Sequence, residues 1–136
     1  MLYENRKLYI SIILYQYNRG FLMKREGHLK KANEIRSSIN SLEKDEKNTS
    51  AIVELTYGCT LHYIAFGSEM KFGTHQDLHN GLIRFLRERD EDEIADLFSK
   101  LETIRHGRWY GGKGNGDTIK EVMGILNIIE GWKDEY

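Results

Sequence analysis

Apolar residues return at three-, four- and seven-residue steps through most of this chain, the spacing that gathers them on one side of a helix. Leu22, Leu29, Ala32, Ile35, Ile39 and Leu42 form one such stripe, opposite Lys24, Arg25, Lys30, Lys31, Glu34 and Arg36. Ile94, Leu97, Phe98, Leu101 and Ile104 form another, and Ile119, Val122, Met123, Leu126 and Ile129 a third. Between them, Ile52, Leu55, Cys59, His62 and Phe66 share one face of a segment whose second face holds Val53, Tyr57, Thr60 and Ile64. A helix apolar on two sides is expected at the buried centre of a bundle. Proline, which would kink or end such helices, is absent from all 136 residues.

The punctuation between stripes fixes the expected elements. A long first helix, beginning near Asn18, ends in the polar run Glu43–Asn48, and Thr49 or Ser50 is placed to cap the second. Gly67 and Gly73 bracket the exit of that second helix. Asp77–Arg89 reads as a third helix with Leu78, Leu82, Phe85 and Leu86 inward, and the acidic run Asp90–Glu93 suits the start of a fourth. Five glycines, at 107, 111, 112, 114 and 116, predict that the fourth helix ends or loosens there, and Asp117 or Thr118 then caps the last. The expectation is an all-α, up-and-down bundle of four to five helices in a single domain spanning 1–136. Its core covers about 18–132, and residues 1–17 form an N-terminal extension in which Leu8–Tyr17 is open to helix or strand.

Composition narrows the function classes. Twenty Lys and Arg against twenty-one Asp and Glu give a net charge of −1, so any nucleic-acid site must be local rather than a global basic field. The longest uncharged stretches, Leu8–Asn18 and Leu55–Ser68, fall short of the roughly 20 apolar residues of a membrane span. A single Cys excludes a disulfide framework and fits a reducing, cytoplasmic setting.

One segment combines positive charge, aromatic rings and a permissive backbone. No acidic residue lies between Thr103 and Gly116, where Arg105, Arg108 and Lys113 alternate with His106, Trp109 and Tyr110. Guanidinium groups bind phosphate through paired N–H donors, and flat rings stack on unpaired bases. The same composition also describes a solvated loop with Trp109 tucked into the bundle. The basic residues of the first helix are interrupted by Glu26 and Glu34 and read as a solvated face.

With these residues in view, the chain resembles the HEPN domain family. The likeness is carried by SAIVELTYGCTLHYIAF at Ser50–Phe66, LHNGL at Leu78–Leu82 and LETIRHGRWYGG at Leu101–Gly112, within about 18–132. It implies a helical homodimer with a composite cleft for RNA or nucleotide, in metal-independent endoribonucleases, RNA-processing components or toxin–antitoxin systems. Some members act as noncatalytic partner modules of a nucleotidyltransferase-type antitoxin. The active members place a His four to six residues beyond an Arg; after Arg105 those positions hold Tyr110, Gly111 and Gly112, and no His follows His106. The resemblance therefore carries Arg105 and Tyr110 over as a site position, with Arg108, Trp109, Lys113 and His106 as binding residues and no cofactor. Tyrosine, with an ordinary pKa near 10, is a poor general base at neutral pH, so weak or lost cleavage is expected. Glu54 and Glu102 are candidates to orient Arg105.

A zinc-binding reading competes on spacing alone. Cys59-x2-His62-x12-His75-x3-His79 matches the ligand spacing of a zinc finger with one Cys replaced by His. It requires a hairpin where the periodicity demands helix, and the bundle reading instead faces Cys59 and His62 into the core.

Overall fold

The computed structural model describes residues 24–76, 80–110 and 116–135, with the side chains of 108–110 and 116 left aside. It is an all-α bundle, with no strand among the described residues. The helices are α1 (Arg25–Ser41), α2 (Thr49–Phe72), α3 (Leu82–Arg87), α4 (Asp92–Tyr110) and α5 (Gly116–Trp132), with a 3-10 turn at Glu46–Asn48.

The doubly apolar segment is the hub. At 24 residues α2 runs about 36 Å, and it packs against α1, α4 and α5. It buries Ile52 and Cys59 from one predicted face, and Val53, Tyr57, Thr60 and Ile64 from the other. Tyr63, fully buried, was on neither predicted stripe. Its hydroxyl reaches Asn33 on α1 and Glu130 on α5, both at 3.1 Å, and Glu130 in turn meets Arg36 at 3.3 Å. A core tyrosine thus carries a polar link across three helices. The other stripes also turn inward: Ala32 and Ile39 from α1, Ile94, Phe98 and Leu101 from α4, and Ile119, Val122, Leu126 and Ile129 from α5 are all buried.

The helix ends follow backbone chemistry, with local departures from expectation. α1 stops at Ser41, where Lys44 Nζ covers the carbonyls of Ile39 at 2.6 Å and Leu42 at 2.7 Å. Thr49 does not cap α2 but is its first residue; Asn48 takes the cap position and uses its amide on the Glu43 carbonyl, 2.9 Å away. Gly73, at φ 75°, ends α2 in the left-handed region. The third helix is shorter than expected, because Gly81 at φ 87° places a turn where the pattern implied continuous helix. Residues 77–79, with Leu78 and His79, lie outside the described residues, as do 1–23, with the open segment Leu8–Tyr17. Gly107 does not end α4, which runs on to Tyr110, and α5 begins at Gly116, leaving Asp117 in its first turn. A single glycine lowers helix propensity by about 1 kcal/mol relative to alanine, too little to stop a helix anchored by buried Phe98 and Leu101.

Among the described residues, no helix is long and apolar enough to cross a membrane.

Candidate anion-binding site at Arg105

Arg105 sits in the last part of α4, and its side chain is 37% exposed. Its Nε lies 3.1 Å from both carboxylate oxygens of Glu54 on α2. Its guanidinium carbon stands 4.3 Å above the centre of the Tyr57 ring, one helical turn along α2 from Glu54. Phe98 stacks on Tyr57 with ring centres 5.5 Å apart. A carboxylate, an aromatic face and a stacked second ring therefore fix one guanidinium before any ligand arrives. Of the two candidate orienting carboxylates, Glu54 makes the contact, and Glu102 contributes a nearby negative charge that acts on Tyr57.

Tyr57 is 6% exposed, and its hydroxyl is buried without a hydrogen-bond partner among the described residues. Burial pushes its pKa upward and the Glu102 charge adds to the rise, so the phenol stays protonated. His106 is exposed, one residue on from the half-buried Arg105. The backbone carries Arg108, Trp109 and Tyr110 onward as the end of α4, but their side chains, and Lys113 altogether, lie outside the described residues.

Among the described residues, the candidate zinc ligands Cys59, His62 and His75 do not converge. Cys59 is fully buried and donates its thiol to the Ala32 carbonyl at 3.3 Å. Burial pushes that thiol up to about 12, so it is held as a neutral donor rather than as the thiolate a metal requires. His62 and His75 instead meet a third ring, His28, at 2.9 and 3.2 Å. His79 lies outside the described residues, and among those described no group of three or more His, Cys, Asp or Glu side chains converges to hold a metal. Sequence reasoning missed His28, because a histidine inside a basic stretch looks solvated; its place four residues before the stripe residue Ala32 was the available signal.

Compared with known proteins, the chain matches no family model, no curated protein and no solved structure.

Proposed function

We propose that this bundle binds RNA or a nucleotide through phosphate contacts at Arg105, in a HEPN-like homodimer that doubles the site. The observation that carries this reading is the Arg105–Glu54–Tyr57 arrangement. The guanidinium is held through its Nε at 3.1 Å and stays 37% exposed, so a phosphate can reach it. The likeness of the 50–66 and 101–112 segments to HEPN domains supports the same position.

The chemistry favours binding over fast cleavage. In-line attack by a ribose hydroxyl needs a base that titrates near the working pH, and Tyr110 stands where the active family members keep histidine. Any ribonuclease activity would be metal-independent and weak. That same missing histidine favours a second reading, a noncatalytic partner of a nucleotidyltransferase-type antitoxin, in which the Arg105 surface meets a protein or its nucleotide.

Fluorescence anisotropy with a short single-stranded RNA and with a mononucleotide tests the proposal. The expected result is micromolar, salt-sensitive binding that weakens at least tenfold in Arg105→Ala and is only partly restored in Arg105→Lys. Equal binding by wild type and Arg105→Ala, both folded by circular dichroism, would overturn it.

A further inference from the structure

The outward side of α5 serves neither the bundle core nor the Arg105 site. From Lys120 onward its exposed positions are Glu121, Gly124, Asn127, Ile128 and Gly131, and Glu135 follows in the turn that closes the helix. In a chain that is 30% charged, the exposed positions from Gly124 to Gly131 carry no charge. Ile128 is 47% exposed, the one large apolar side chain among the described residues left so open. Gly124 and Gly131 flank it. A methyl group built on either meets nothing within 4 Å, so the packing of a single copy does not require them. Glycine is the poorest helix former after proline, so the pair weakens α5 unless something uses the low surface they leave.

The charges at the two ends of this face have opposite signs and a common centre. Glu121 pairs with Lys100 and Asp134 with Lys133, each at 2.8 Å, whereas Lys120 and Glu135 have no ion-pair partner among the described residues. The midpoint between Lys120 and Glu135 falls between Asn127 and Ile128, and so does the midpoint between Gly124 and Gly131. Winding continues past Trp132, where the N–H groups of Lys133, Asp134 and Glu135 reach the carbonyls of Ile129, Gly131 and Trp132 at 3.1, 3.2 and 3.0 Å. At about 3.6 residues per turn, Lys120, Gly124, Ile128, Gly131 and Glu135 lie within roughly a quarter of the circumference.

We infer that this face of α5 is the contact between two copies of the chain, paired antiparallel about a two-fold axis between Asn127 and Ile128. The inference stands apart from the Arg105 reading, since no residue of that site enters it. The axis sets Lys120 against Glu135 of the partner subunit, and does so twice, because an isologous contact repeats every pair. Gly124 meets Gly131 of the partner subunit, which lets the helix axes approach to about 8 Å, the near end of helix packing distances. Ile128 lies next to the axis, beside Ile128 of the partner subunit, and both leave water. Parallel pairing would instead bring Lys120 against Lys120 of the partner subunit, so charge selects the antiparallel arrangement. Asn127 borders the contact and is held by Arg36 at 3.0 Å, and Glu130 neutralises that guanidinium. A helix of 17 residues is about 26 Å long, and one face of it covers less than the roughly 800 Å² per partner of a standard interface, so the dimer is weak.

Sedimentation velocity of the full chain without RNA, from low micromolar to near-millimolar protein, tests this. The expected result is a monomer–dimer equilibrium with a dissociation constant in the micromolar range. Ile128→Asp puts two carboxylates beside the axis and should weaken the dimer at least about tenfold. Lys120→Glu and Glu135→Lys should each weaken it about three- to tenfold, and the double swap should restore it to within about threefold of the wild type. A monomer at every concentration would overturn the proposal. So would a dimer that Ile128→Asp leaves unchanged, or a double swap as weak as the single ones. Circular dichroism checks that each variant folds, and if Ile128→Asp does not, Ile128→Ser and the charge swap decide. With RNA left out, failure here and failure of the Arg105 reading are told apart.

Discussion

A methyl group built on Gly67 would lie 2.6 Å from Cζ3 of Trp132 and 3.1 Å from the Lys133 backbone. The glycine is therefore a notch in α2 that receives the end of α5. Trp132 is 6% exposed there and donates its indole N–H to Glu91 Oε2 at 2.8 Å. Neither contact atom on the Trp132 ring sits at the end of a flexible chain, so Gly67→Ala forces a backbone shift. The expected loss is about 1–3 kcal/mol, read from urea unfolding, with Trp132 fluorescence shifting red as the ring leaves its site.

Asp90 holds φ 60°, alone among the described non-glycine residues in being left-handed. It closes the turn after α3, with Glu91 N–H on the Leu86 carbonyl at 2.9 Å and its own N–H on the Arg87 carbonyl at 3.1 Å. Aspartate tolerates this region and glycine favours it. Asp90→Gly should raise stability by a few tenths to about 1 kcal/mol, and Asp90→Val should lower it, by thermal unfolding.

Tyr63 has one hydroxyl proton and two acceptors at 3.1 Å, Asn33 Oδ1 and the Glu130 carboxylate, and it donates to one at a time, the charged carboxylate being the stronger acceptor. Tyr63→Phe leaves Glu130 with Arg36 alone in a half-buried setting. About 1–2 kcal/mol should be lost, and a double-mutant cycle with Glu130→Gln should show coupling.

On the alkaline side, Cys59 predicts a specific weakness. Burial moves its thiol from 9.0 to about 12, so the folded state binds a proton that the unfolded chain has released. That contribution is complete below pH 9 and is lost as pH rises from about 9 to 12. Stability should fall across this window, less so in Cys59→Ala once its own cavity cost is subtracted at neutral pH. Below pH 8 the folded thiol should resist alkylation, with reaction appearing only on addition of denaturant.

Much of the architecture was legible because helical burial has a period that side-chain chemistry writes directly into the chain. Phe98, Leu101, Leu126 and Ile129 are fully buried where the three- and four-residue steps placed them. Tyr63 and His28 were not legible, since a polar atom enters a core only when partners from other helices satisfy it, and those partners are 30 to 67 residues away in the chain. At the candidate site the sequence went further, naming both Glu54 and Glu102 as carboxylates that could orient Arg105. What it could not choose was which of the two makes the contact, since the Glu54 pairing spans 51 residues and depends on how α4 crosses α2.

Sequence alone determined that the chain is helical, which segments carry the apolar stripes, and that α2 lies at the centre. Periodicity is a local property, and burying a stripe needs only some partner, not a particular one. Tertiary structure decided which polar groups meet: Glu54 with Arg105, Glu130 with Tyr63, and His28 with both His62 and His75. Hydrogen bonds act over about 3 Å and have direction, so they depend on helix crossing and rotation, which residue spacing does not specify.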